Sequence, residues 1–428
     1  MKKTYQHCNR TFLLIPFVII LIFFVWIIAY TCTSKSNSGD YSDLIIQNGS
    51  FIYEANLPNV FFNKTKKYLY VASNYSTIDF IGPFLSVYKY HKYFFSSEAL
   101  YEHKSGQQNV EYYYGNSTFS NRLFYEEFQI ITLKNIFVTT QCIYYDQNTN
   151  DFLIPRKSCQ DKFNFTFPLH VLYKNMMGNT ISLCHAFSSN YAHMIFDVLP
   201  PLTVMNTSII QTSNFLVNET FSYVYDLLDN LFNIQKEKII CLRHNTFLLC
   251  ETIMTINPHP FYQIYGTLLK KLRNVFVLKF GLDISPPKKF VVFNRKLTRR
   301  IANFGPLYYE ILVRFPQYKW EMRKKLKGLQ ETSKYYNEIL FLFGPHGADF
   351  ANTIFMQEDT VVSEIHGDEF VSCYLYFSNY LGFHHLVMRI PEMGIQLLLD
   401  TNIAPIEIAI QMIKKGLSYI ENSKKYKL

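Results

Sequence analysis

The chain of 428 residues contains no Asp-x-Asp triplet. Paired carboxylates of that kind commonly hold a divalent ion beneath a nucleotide diphosphate, so donor binding by that device is excluded. No Cys-x-x-Cys pair occurs, which removes the usual sequence signature of a structural zinc site. Glycine and proline number only 16 each, no internal repeat or long low-complexity tract is visible, and hydrophobic residues reach 49%. The chain is therefore globular rather than disordered. Charge of either sign is missing from Phe12 to Tyr30, where Leu, Ile, Val and Phe dominate.

That last absence sets the expected topology. At about 1.5 Å rise per residue, such a run crosses a hydrocarbon core roughly 30 Å thick as a helix, with Pro16 as a tolerated kink. Lys2, Lys3 and Arg10 precede it, and Asp40 and Asp43 follow Lys35 beyond it. This bias places the N-terminus in the cytosol. A cleaved signal peptide is the alternative, but the run exceeds an ordinary signal core and Tyr30-Thr31-Cys32-Thr33 is a poor cleavage site. The reading is a single-pass type II protein of the Golgi or endoplasmic reticulum membrane. It has a cytoplasmic tail at residues 1–11, an anchor at 12–31, a stem at 32–60 and a lumenal body.

What is present fits that compartment. Asn48, Asn63, Asn74, Asn116, Asn164, Asn206 and Asn218 each begin an N-glycosylation sequon, all before residue 220. Of 8 cysteines, Cys142, Cys159, Cys184, Cys241, Cys250 and Cys373 lie beyond the anchor. An oxidising lumen favours disulfides, and proximity in sequence suggests Cys142 with Cys159 and Cys241 with Cys250. The net charge of +9 is concentrated: 12 Lys or Arg against 3 Asp or Glu fall between Asp283 and Lys327, and the rest of the chain balances. A solvated basic face explains most such lysines. Nucleic acid is not expected in the lumen, so a phosphorylated small molecule is the partner this cluster suits.

Tyr68–Asn74, Gln129–Thr140 and Phe247–Ile256 read as strands, and Phe261–Phe280 as a helix. Gly281-Leu282-Asp283-Ile284-Ser285-Pro286-Pro287 reads as a linker. Beyond it, expected strands at Phe290–Phe293, Ile339–Phe343, Thr360–Ile365 and His385–Ile390 alternate with helical stretches at Ala348–Met356 and Phe370–Leu381. That alternation implies a parallel sheet with ligands at its carboxyl ends.

Four constellations carry chemistry. Gly344-Pro345-His346-Gly347-Ala348-Asp349-Phe350-Ala351-Asn352 joins a strand to a helix, where backbone can approach an anion; a tight turn with a satisfied histidine is the alternative. Asn294-Arg295-Lys296-Leu297-Thr298-Arg299-Arg300-Ile301-Ala302-Asn303 follows a strand and offers guanidinium forks to a diphosphate, or a solvated basic loop. His193 and Asp197, four apart within Asn190–Pro200, share a helix face on which the carboxylate can orient the imidazole as a general base, or form a surface pair. Glu364 ends a buried strand, where a carboxylate suits a ribose or nucleobase edge, or a structural ion pair.

Together these stretches resemble glycosyltransferase family 61. Its members carry Asn-x-x-His-x-x-x-Asp-x-Leu-Pro, then an Arg-rich stretch ending in Asn, a His-Gly-Ala turn and an apolar strand ending in Glu. The resemblance spans about Asn190 to Ile390. It implies a GT-B architecture, in which two Rossmann-type domains (here 61–280 for the acceptor and 281–428 for the nucleotide sugar) face a cleft. It also implies an inverting transfer from a UDP-sugar, xylose or GlcNAc, to a glycoprotein or glycan acceptor, with no metal and no cofactor. Carried over residue by residue, Arg295, Arg299, Arg300, Asn303, His346, Gly347, Ala348, Asn352 and Glu364 would hold the donor. His193 with Asp197 would supply the base, with Asp349 as competitor. Two positions depart from the family: Asp349 replaces a usual Gly, and Pro201 replaces a usual Arg. A protein of another class, a non-catalytic glycan-binding or chaperone-like type II protein, is the alternative these departures leave open.

Overall fold

Apolar side chains on both faces of short strands make the sheet after Lys288 a buried one. In Lys289–Val292 and Ile339–Pro345, Val291 and Leu342 turn to one core while Phe290, Val292, Phe341 and Phe343 turn to another. This is the two-residue period of a strand. The computed structural model describes residues 52–56, 66–68, 77–92, 94–95, 118–139, 143–146, 151–154, 170–185, 190–217, 221–241, 246–257, 266–367, 373–390, 402–423 and 425. The expected anchor lies outside them, and no helix among the described residues is long and apolar enough to cross a membrane.

The second sheet is fully parallel among its paired strands. Its order is Trp320–Met322, Lys289–Val292, Ile339–Pro345, Val361–His366, His384–Arg389 and Phe94–Phe95. Its edge strand Phe94–Phe95 comes from before the boundary read at residue 281. The helices Phe304–Arg314 and Ile406–Glu421 cover one face, burying Leu307, Ile311, Ile413 and Leu417.

The first sheet is mixed. From Ile239–Cys241 through Asn214–Val217 and His170–Ser182 to Thr246–Asn257 its pairs are parallel. Beyond that strand, Thr118–Val138 and Tyr144–Asp146 pair antiparallel, and Thr77–Lys92 adds to Thr118–Val138 in the same sense. The α/β class therefore stands, while this sheet departs from an all-parallel, doubly wound pattern. Ile52–Asn56, within the stretch read as stem, pairs with His170–Ser182. Of the expected strand Tyr68–Asn74, only Tyr68 is described, at the end of Lys66–Tyr68.

Both sheets contribute to one apolar core within the unit Tyr53–Leu428. Helix Gly266–Phe280 enters it with Leu268, Leu269, Leu272 and Phe276, spaced to keep one face inward. The stretch read as a linker is clamped. Arg273 donates two hydrogen bonds to Asp283, each 2.9 Å, and also binds the carbonyl of Met356. Asn337 donates to Asp283 at 2.6 Å. These bonds fix the entry to the second sheet.

Two cysteine expectations meet the structure differently. Cys250 is a buried, unbridged thiol, so no Cys241–Cys250 disulfide forms. The reason is topological: the strands of Cys241 and Cys250 are three positions apart in the sheet. At about 4.8 Å per strand that exceeds the Cα reach of a disulfide, about 7 Å. Cys142 and Cys159 lie outside the described residues, as do all the sequons except Asn206. Asn206 is exposed and caps helix Thr207–Thr212 through its carbonyl, which accepts from Ser208 N at 2.8 Å.

Candidate functional site

Three neighbouring parallel strands end at one edge of the second sheet. Trp320–Met322 runs into Arg323–Lys325, Lys289–Val292 into Phe293–Leu297, and Ile339–Pro345 into the His346 turn. Their loops enclose a cleft of about 610 Å³. Arg295, Lys296, Arg323, Lys324 and Lys325 line it, and Asp349 is the one acid among its described lining residues. Tyr191, at the start of the Tyr191–His193 turn, closes another wall.

The cation loop is held in shape by its own polar groups. Asn294 Oδ1 accepts from Arg295 N and Ile301 N, each at 2.9 Å, and its amide donates to Ile301 O. Arg295 donates Nε to Thr298 O at 2.8 Å, and both Arg295 and Arg299 donate to the carbonyl of His346 at 3.3 Å. Burial and the neighbouring Arg299 lower the Arg295 guanidinium from its usual value, but a guanidinium does not lose its proton in a protein. The close packing explains a glycine: a Cβ on Gly347 would fall 1.4 Å from Arg295 Nη1.

Asp349 pairs with Arg323 at 2.6 Å, and the Arg323 guanidinium lies over the Phe293 ring. The acid that departs from the family pattern is thereby matched by its own cation. The stretch Ala348–Phe355 that carries it is a 3-10 helix rather than the α-helix expected, a tighter form used in short pieces.

Beneath the turn lies a buried network. Glu364 Oε1 is 2.5 Å from His346 Nδ1 and 3.3 Å from His366 Nε2; its Oε2 is 3.0 Å from His385 Nε2. Ser378 Oγ meets the other ring nitrogen of His385 at 2.7 Å. Burial alone would raise the Glu364 carboxyl, yet His366 and His346 hold it well below the usual range. Burial, with His366 adding, pushes His346 down to about 4.

A second histidine–carboxylate cluster sits behind Tyr191. His193 Nδ1 lies 2.6 Å from Asp197 Oδ2, and His185 Nε2 lies 3.5 Å from the same oxygen. The two rings stack with centroids 5.3 Å apart. Burial pushes Asp197 up to about 8, with His185 opposing in part, and pushes His193 down to about 4. Helix Cys373–Leu381 lies between the clusters: Tyr374 packs on His346 and Phe350, and Phe196 packs on Tyr374 and Phe377.

Of the residues singled out in the sequence, Arg295, Ala348, Asp349 and Asn352 line the cleft. Arg299, His346 and Gly347 stand behind them and shape the wall. Two of the expected donor residues stand outside the cleft lining. Glu364 has no exposed surface and both its oxygens are engaged by histidines, so it supports the turn instead of reaching a ribose. Asn303 exchanges two hydrogen bonds of 2.8 Å with the backbone of Ala404, so it pins the loop to the C-terminal segment. Arg300 is exposed and does not line the cleft. His193 and Asp197 are brought together as expected, but Tyr191 and not His193 faces the cleft. Arg323, Lys324 and Lys325 were visible only as part of the basic stretch; nothing local marked them as wall residues.

Residues 191–363 match the family model for glycosyltransferase 61, from the cleft residue Tyr191 to the strand beneath the turn. The chain carries a glycosyltransferase 61 domain. The match supports a transferase, and the matched family implies a sugar donor and a glycan or glycoprotein acceptor. No curated protein matches the chain. In the transferase the matched segment contributes Arg295, Arg323 and Asp349 to one wall and Tyr191 to another.

Proposed function

We propose that the cleft binds the diphosphate of a UDP-sugar and that the enzyme transfers xylose or GlcNAc, with inversion, to a glycoprotein or glycan. The observation that carries this reading is charge: five cations and one acid leave the described wall with a formal +4. Such a surface is costly to hold together without an anion, and a diphosphate matches it in size and sign. The cations also stand where the leaving group gains charge, so no divalent ion is needed at that point. The two sheets would serve as the two halves of a GT-B enzyme, and the apolar run at residues 12–31 would anchor it as a type II protein of the Golgi or endoplasmic reticulum.

Asp349 is the group we assign as base. In a single displacement the acceptor hydroxyl gives its proton to this carboxylate, its oxygen bonds to the anomeric carbon, and UDP departs with the bonding pair. Asp349 opens on the cleft with about a third of its side chain exposed, and it pairs there with Arg323. His193 is buried behind Tyr191, which argues against direct proton transfer. A base contributes about 10²–10⁴-fold. Asp349→Asn is therefore expected to lower kcat by that factor, with UDP affinity retained or raised because a negative charge is removed. Full turnover by Asp349→Asn, with loss in a folded His193→Ala variant, would return the role to His193.

A further inference from the structure

The cluster of His185, His193 and Asp197 lies apart from the cationic wall. His185 follows the end of strand His170–Ser182, while His193 and Asp197 lie on the turn that begins at Tyr191. All three are at least nine-tenths buried, at 2%, 4% and 3% exposure. Their potential ligand atoms all fall within 4.8 Å of one another. Asp197 Oδ1 is buried without a hydrogen-bond partner. A buried carboxylate oxygen is unfavourable unless something positive meets it.

We propose that His185, His193 and Asp197 bind one zinc ion. Two imidazole nitrogens and one carboxylate oxygen are a zinc donor set, whereas calcium and magnesium favour oxygen alone. Zinc bonds of about 2.0–2.1 Å in a tetrahedron set neighbouring ligand atoms roughly 3.3 Å apart. The 3.5 Å between His185 Nε2 and Asp197 Oδ2 already meets that spacing. The 2.6 Å between His193 Nδ1 and Asp197 Oδ2 has to open by about 0.7 Å. The π-helical turn Met194–Val198, closed by Leu199 N to Met194 O at 3.0 Å, sets the spacing of this pair, and such turns recur at functional sites. With Oδ2 on the ion, water completes the coordination and donates to Asp197 Oδ1, the oxygen otherwise without a partner. The ion ties the end of a sheet strand to the turn that carries Tyr191 into the cleft, which makes it a positioning element.

The test is metal analysis of the full chain, purified without a metal-affinity step and dialysed. About one zinc per chain is expected in the parent and in His366→Ala, which alters only the Glu364 cluster. His185→Ala and Asp197→Asn are expected to lose at least nine-tenths of it. Stripping the parent should lower Tm by several degrees, and zinc but not magnesium should restore it. The parent-protein measurements stand even if a variant fails to fold. A parent chain without zinc that gains no stability from added zinc overturns the proposal. Zinc kept by both His185→Ala and Asp197→Asn, or lost only in His366→Ala, overturns it as well.

Discussion

Gly347 is required by a neighbour rather than by its own torsion. Its φ of 162° is extended backbone open to any residue, but an added Cβ meets the Arg295 guanidinium. In Gly347→Ala the end of the Arg295 side chain has to swing aside. We expect UDP affinity to fall at least tenfold by calorimetry, a loss of about 1.4 kcal/mol. Gly305→Ala, placed in open space at the start of helix Phe304–Arg314, should leave affinity unchanged. Equal affinity for both Gly347→Ala and Arg295→Ala would show that Arg295 does not hold the donor. At this scale the sequence was informative about residue types and poor about pairings. Asp349 read only as a departure from the family pattern, because its partner Arg323 lies 26 positions away. Only the parallel sheet, in which their two strands flank Lys289–Val292, brings them together.

Among elements, the strand Val361–His366 is the main support of the turn. It was legible as a buried strand ending in a carboxylate, since its residues are apolar and β-branched apart from Ser363, Glu364 and His366. What Glu364 does there was not legible, because its partners come from three places: the His346 turn, its own strand and His385 on the next one. Removing one partner of a buried charged pair costs about 3–5 kcal/mol. Glu364→Ala is expected to lose stability on that scale in urea unfolding, with Glu364→Gln losing less; a change below about 1 kcal/mol for alanine would contradict the network. The same network gives a pH dependence. His346 is pushed down to about 4 when folded, against roughly 6.5 unfolded. The unfolded chain then binds more protons between those values, so stability should rise with pH from about 4 to about 6.5. His193 acts in the same sense and Asp197, pushed up to about 8, in the opposite one. The His346 part is therefore the pH slope lost in His346→Gln; an unchanged slope in that variant would contradict the assignment.

For the whole molecule, the sequence foretold the parallel sheet well and the mixed sheet in part. Strands after Lys288 are short, apolar and punctuated by helices, so their period is plain. Gln129–Thr140 and Phe247–Ile256 were legible as strands, but Thr77–Lys92 and the first half of Thr118–Val138 owe their form to pairing with each other, which local pattern does not announce. The proposed lumenal topology is checked separately. Endoglycosidase should lower the apparent mass of the expressed protein, and protease outside intact microsomes should remove only the tail. An unglycosylated, accessible body would refute that topology without touching the cleft.

The cationic cleft is the centre of the account, and binding of UDP to the full chain in detergent, in the presence of EDTA, tests it most directly. The expected result is saturable calorimetric binding at one site, weakened at least tenfold by Arg323→Ala and by Arg295→Ala. Zinc rescue of any loss caused by the chelator would point to the His185 cluster. Absence of UDP binding by a folded chain, or binding that returns only with manganese or magnesium, would contradict the assignment of the diphosphate to this wall.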